Sequence, residues 1–261
     1  MTAVVLYEVA DRIATVTLNR PEARNALSSE VLRLLPETLE RAEADDAVDV
    51  VILTGADPAF CAGLDLKELG STAGNLGGGG GAPAAVGSAR SPFPAMTKPL
   101  IGAVNGACIT GGFELALNCD FLVASERARF GDTHTRVGVM PGWGMTVLLP
   151  EAIGVRRARE MSFTGNFLTA DEAFQWGLVN HVVPHEDLLA FTRRLAADII
   201  GNDQDGVRQI RTTYAEVART TVGEGWEVEA RDGQTWRRRT FSPDEVARRR
   251  AGIMERGRAQ H

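Results

Sequence analysis

The sequence predicts an α/β fold, a layered core around a substantially parallel sheet with a helical carboxyl-terminal part. Three observations carry that prediction. Short apolar, β-branched runs recur at 48–53, 100–104 and 121–123, and such runs read as strands buried on both faces. Helix-compatible segments separate them, and this alternation favours parallel strands joined by crossovers. From Val155 onward the pattern is mostly helical.

Each element has a local reason. Val5, Tyr7 and Val9 alternate with polar neighbours, and Ile13, Val16 and Leu18 follow the Asp11-Arg12 break, which predicts a two-stranded hairpin. Asn19-Arg20-Pro21 ends it, since proline has no ladder donor. Val31, Leu32, Leu35 and Leu39 fall at helical spacing over 28–44, with Ser28 or Ser29 as the cap. Pro36 inside that helix predicts a kink or break. Later come a short strand at 181–183, closed by Pro184, and a helix over 186–200. Two or three further helices follow, the last starting at Ser242-Pro243-Asp244-Glu245 with a cap, a first-turn proline and first-turn acids. The domain organisation expected is a core over 1–200 and a helical region over 201–261. Residues 70–94, with five consecutive glycines at 77–81, are expected as a flexible insertion, either a plain surface loop or a flap beside a ligand site.

Composition narrows the function. With 34 acidic and 28 basic residues the net charge is −6, and no long basic stripe suits nucleic acid. No apolar run approaches the ~18 residues of a membrane span. The amino terminus carries Glu8, Asp11 and Arg12 inside its apolar stretch, unlike a secretory signal. Cys61, Cys108 and Cys119 are odd in number and form no CxxC. Reduced thiols in a cytoplasmic setting, with no metal site, are the expectation.

Two glycine-marked turns, Ala62-Gly63-Leu64-Asp65 and Thr110-Gly111-Gly112, each follow an expected core strand. A glycine pair entering a helix exposes unpaired N–H groups that an oxygen can approach. Two such turns on neighbouring strands can aim two donors at one oxygen, the geometry of an oxyanion hole. Either turn alone is ordinary turn chemistry.

Further motifs stand in order along the chain: Asn19-Arg20-Pro21 with Asn25-Ala26-Leu27, Phe60-Cys61-Ala62-Gly63-Leu64-Asp65-Leu66-Lys67-Glu68, Lys98 to Gly106, Gly111 to Ala116, Cys119-Asp120, Phe130-Gly131, Gly138 to Gly142, Thr164-Gly165 and Ala173 to Val179. Together they resemble the crotonase, or enoyl-CoA hydratase/isomerase, superfamily. The resemblance implies stacked ββα turns forming a spiral core, a helical trimerisation region, and assembly as a homotrimer or dimer of trimers. It implies acyl-CoA thioesters as substrates, coenzyme A being part of the substrate and no separate cofactor being needed. It implies the backbone N–H groups of Leu64 and Gly111 as oxyanion donors, with Arg24, Ala62, Asp65 and Lys67 toward the coenzyme. Trp143, in Pro141-Gly142-Trp143-Gly144, either walls the acyl pocket or fills the core.

The sequence departs from the family's paired glutamates. Glu114 occupies the first position, but the second, twenty residues on, is His134. Imidazole titrates near pH 6.5, so a Glu114–His134 pair can in principle move both protons of a hydration. The expected activity is therefore hydration of 2-enoyl-CoA to 3-hydroxyacyl-CoA. The alternatives are double-bond isomerisation or another reaction of the family, and an acyl-CoA-binding protein with little catalysis.

Overall fold

The computed structural model describes residues 3–76 and 91–259. β1 (Val5–Ala10) and β2 (Ile13–Leu18) pair antiparallel, Val5 opposite Leu18. Asp11 and Arg12 turn the hairpin at φ 52° and 64°, as a two-residue turn that follows strand twist requires. α1 (Ser29–Ala44) is capped by Ser28, whose hydroxyl accepts from the Val31 N–H. The break expected at Pro36 does not occur. Val31, Leu32, Leu35, Leu39 and Ala42 bury one face on both sides of the proline, and that packing holds the helix through a missing hydrogen bond.

Next come β3 (Val50–Gly55), β4 (Ala59–Cys61) and α2 (Leu66–Ser71), then β5 (Leu100–Val104), β6 (Ala107–Ile109) and α3 (Gly111–Leu117), then β7 (Phe121–Ser125), β8 (Arg129–Gly131) and α4 (His134–Val137). A long strand, a short strand and a short helix thus repeat three times, the stacked ββα turns that the resemblance implies. β3 starts later than the apolar run suggests, because Val48 closes a turn onto the Asp45 carbonyl and Asp49 pairs with Arg12.

The chain continues through α5 (Met145–Ile153), α6 (Val155–Thr164), β9 (Phe167–Thr169), α7 (Ala170–Gln175), β10 (His181–Val183) and α8 (Leu188–Ile200). One sheet has the order β1-β2-β3-β5-β7-β10, parallel throughout except for the opening hairpin. Alternate residues of its strands feed two cores. Val51 and Leu53 pack with Leu32, Leu35 and Leu39 of α1, whereas Val50 and Ile52 pack with Leu188 and Ala196 of α8. Full burial of such a side chain contributes roughly 1.5–3 kcal/mol, so both faces need a helix layer. Lys98, 2% exposed, ties α1 to the start of β5 by donating to the carbonyls of Ala42 and Asp45 at 2.9 and 2.7 Å. Those carbonyls lie at the helix carboxyl end, where a cation is favoured.

The second sheet, β4-β6-β8-β9, has parallel β4–β6 and β6–β8 pairs and an antiparallel edge. It corrects the sequence reading of the glycine turns. They follow these short strands rather than the long core strands, because each long strand hands over to a short one before the turn.

The described chain forms two compact units, one up to Arg208 and the other from Gln209. α9 (Gln204–Val217) spans that boundary, and α10 (Val222–Arg239) and α11 (Pro243–Ala259) complete the second unit. Thr221 and Glu224 form a capping box on α10, and Ser242 accepts from the Glu245 N–H at the start of α11. Residues 77–90, most of the expected flexible insertion, lie outside the described residues. Residues next to them are anchored. Asn75 is 1% exposed and donates to the carbonyls of Leu27 and Asp65, each at 3.0 Å. Among the described residues no helix is long and apolar enough to cross a membrane, and no cluster of metal-ligating side chains occurs.

Candidate active site

Three adjacent parallel strands end on one side of the smaller sheet. β4 leads to Gly63 and Leu64, β6 to Thr110 and Gly111, and β8 to Asp132 and His134. Ligands collect at the carboxyl ends of parallel strands, and here a cavity of about 310 Å³ lies there. Leu64, Gly111, Glu114, His134 and Trp143 line it together with Asn75.

The donor geometry begins at Gly63, whose φ of +91° suits glycine. Leu27 bridges the Leu64 segment in parallel: its N–H donates to the Gly63 carbonyl and its carbonyl accepts from the Asp65 N–H. The intervening Leu64 N–H is thereby turned away from Leu27. Gly111 is the first residue of α3, where N–H groups lack helical acceptors. Neither N–H has an acceptor among the described residues. A carbon placed on the side-chain bond of Gly111 would lie 3.9 Å from the Leu64 nitrogen and 3.4 Å from the Trp143 ring. The two donor-bearing turns are therefore neighbours.

Thr110, just before this donor, sits at φ 52°. Its N–H donates to the Gly131 carbonyl at 2.8 Å, its hydroxyl bonds that of Thr133, and the Thr133 N–H donates to it at 3.1 Å. Strain of this kind persists where surrounding bonds over-determine it. Here it locks the turn carrying Gly111 to the turn carrying His134.

Glu114 and His134 are 2% and 5% exposed. The N–H groups of Trp143 and Met145 donate to Glu114 Oε1 at 2.8 and 3.2 Å. That leaves Oε2, which lies 3.5 Å from His134 Nε2. On the far side of the ring, His134 Nδ1 lies 2.6 Å from Asp132 Oδ1, which also accepts the His134 N–H at 3.1 Å. Burial alone would disfavour the imidazolium, but the Asp132 hydrogen bond and then Glu114 outweigh it and raise His134 to about 9. Burial also opposes ionisation of Asp132, and its bonds to His134 and Ser162 nonetheless hold its carboxyl below the usual range. At neutral pH the site thus presents an imidazolium between two carboxyl side chains.

The other residues expected at the site do not line the cavity. Arg24 is exposed and its carbonyl accepts the N–H of half-buried Ala62. Lys67 is exposed on α2. Asp65 is committed within the protein: it pairs with Arg20 at 2.9 Å and caps α2 through the N–H groups of Lys67 and Glu68. Arg24 and Ala62 lie on the paired segments that lead to Leu64, and Asp65 and Lys67 follow it. Cys61 and Cys108 are buried and unpaired, and burial pushes the Cys61 thiol up to about 12, so it is no nucleophile at neutral pH.

Asp132 and Asn75 went unread in the sequence. Asp132 carried one local signal, since an aspartate two residues before an N–H commonly accepts from it. Asn75 stood in a stretch whose composition gave no hint of burial.

The family model described as enoyl-CoA hydratase/isomerase matches residues 8–257. The probable peroxisomal enoyl-CoA hydratase 1 of Arabidopsis thaliana is 39% identical over 218 residues, covering 81% of this chain and 78% of that protein. A crotonyl-CoA hydratase of Syntrophomonas wolfei is 34% identical over 227 residues, covering 87% and 86%. The crystal structure of an enoyl-CoA hydratase from Mycobacterium smegmatis superposes with a TM-score of 0.75 at 49% identity, covering 92% of this chain and all of that one.

Proposed function

Because the chain belongs to the enoyl-CoA hydratase/isomerase family, we propose that it adds water across the double bond of a 2-enoyl-CoA to give the 3-hydroxyacyl-CoA. The observation that carries this reading is that Leu64 and Gly111, neighbours whose N–H groups have no acceptor among the described residues, line the same cavity as Glu114 and His134. The thioester oxygen accepts from the two N–H groups. Glu114 Oε2 takes a proton from water as the water oxygen bonds to the β-carbon. The π electrons move to the thioester oxygen as an enolate, which the two donors stabilise. His134 Nε2–H then protonates the α-carbon and the carbonyl re-forms. Glu114 is left protonated and His134 neutral, and a proton crossing their 3.5 Å separation resets the pair. The raised proton affinity of His134 supports its role as the acid.

Coenzyme A belongs to the substrate in this reading, and no other cofactor takes part. Arg24 and Lys67, exposed on either side of Leu64 in the chain, suit the anionic end of the coenzyme, with Ala62 alongside and Trp143 walling the acyl end. A soluble cytoplasmic location and a role in fatty-acid metabolism belong to the same proposal, the first supported by the unpaired Cys61 and Cys108 and the second by the family. A homotrimer or dimer of trimers is the assembly proposed, supported by Trp226, 70% exposed on α10. Sedimentation would measure it.

The test is loss of the conjugated-enoyl absorbance of crotonyl-CoA and longer homologues. Glu114→Gln should lower kcat by roughly 10²- to 10⁴-fold. No turnover at any chain length, or an unaffected variant, rejects hydration. Isomerisation is the second reading, favoured by the histidine at the second acid/base position. It predicts conversion of 3-enoyl-CoA to 2-enoyl-CoA without a hydroxylated product.

A further inference from the structure

We propose that Asp132 is a positioning residue of this site, fixing the ring and tautomer of His134 so that Nε2 faces Glu114 and the reacting carbons. The proposal rests on the hydration reading for its consequence but on geometry for its basis.

Asp132 grips His134 twice through one oxygen, at the ring Nδ1 and at the backbone N–H. A carboxylate bonded to Nδ1 keeps the proton there when the ring is neutral. Nε2 is then the atom that gains and loses the mobile proton. The pair is built into the fold. Asp132 is 2% exposed and lies directly after β8. An aspartate in such a place is costly unless paired, and its partner here is the ring that lines the cavity.

The groups around the ring are Glu114 from α3, Asp132 in its own turn, and the uncharged Thr110–Thr133 link. Arg136, on the same short helix, is turned toward the Thr164 carbonyl and Asn166 at 3.2 and 3.3 Å. Asp132 and Glu114 therefore act on the imidazole from opposite sides, but only Glu114 borders the cavity. The carboxyl of Asp132 sets the charge and direction of the acid without touching substrate. The histidine at the family's second acid/base position offers two ring nitrogens, and Asp132 on Nδ1 leaves Nε2 toward Glu114.

The test uses the full-length protein with isotope-labelled histidine. The sequence has four histidines, and the signal lost in His134→Gln belongs to His134. In the wild type His134 should titrate near 9 and, above that pH, carry its proton on Nδ1. Asp132→Asn should lower that titration by at least one pH unit. It should also move the alkaline limb of kcat/KM by the same amount and reduce kcat about 10- to 100-fold, with KM nearly unchanged. Asp132→Glu, which keeps the charge, should recover part of both. A His134 titration and pH profile unmoved in Asp132→Asn would overturn the proposal. So would a wild-type neutral tautomer with the proton on Nε2. If Asp132→Asn does not fold, Asp132→Glu and the wild-type tautomer decide. Absence of any enoyl-CoA turnover would remove the hydration reading while leaving the titration and tautomer to judge Asp132.

Discussion

Glu114 and His134 show how a pair of residues can be legible in sequence while their state is not. Their types and spacing were readable, because Glu114 follows the Gly111-Gly112 turn and His134 stands twenty residues on, at a family position. The charge on His134 was not, since it depends on Asp132 and on Oε2 of Glu114 arriving from different turns. That state has a measurable consequence for stability. The folded protein holds His134 at about 9, above the ~6.5 of an unfolded histidine. The stabilisation is therefore fully present below pH 6.5 and is lost as pH rises toward 9. Its ceiling is about 3 kcal/mol, one pH unit being worth 1.36 kcal/mol. The stability difference between wild type and His134→Gln, measured by denaturant unfolding, should shrink steadily from pH 6.5 to 9. A difference constant over that range would show that His134 is not held as the cation.

At the scale of elements, the long strands and α1 were legible because their apolar periodicity spans several residues. The four-stranded sheet was not, since β4, β6, β8 and β9 are each three residues long and carry no usable period. The long strands that precede β4, β6 and β8 fix the pairing of those three, and β9 joins after α6 as the antiparallel edge. The site depends on that hidden sheet, and on caps that aim its turns. Asp65 illustrates the point. Sequence resemblance implied a coenzyme contact, whereas the structure commits its carboxylate to Arg20 and to the start of α2. Asp65→Ala should destabilise the protein by about 1–2 kcal/mol, typical of a lost cap, and lower kcat through a displaced Leu64 N–H. Lys67→Ala, two residues on and exposed, should leave the melting temperature unchanged and raise KM for the coenzyme thioester. The opposite pattern would return Asp65 to the ligand.

For the whole molecule, the repeated ββα unit explains why distant segments of chain meet. Each turn of the spiral adds one strand to each sheet, so Leu64, Gly111 and His134 arrive side by side from three successive repeats. Local sequence could not show this, because contact between residues about 45 and 70 positions apart is a property of sheet order. Asn75 closes the arrangement by tying both Leu27 and Asp65 beside the Leu64 donor. The central claim is that this architecture brings two backbone donors onto one thioester oxygen opposite an acid/base pair. The most direct measurement is a crystal structure with a bound, unreactive 3-ketoacyl-CoA. The thioester oxygen should lie within about 2.7–3.1 Å of both the Leu64 and Gly111 nitrogens, with the α- and β-carbons against Glu114 Oε2 and His134 Nε2. A thioester oxygen bound elsewhere, or either N–H turned to an acceptor within the protein, would contradict it.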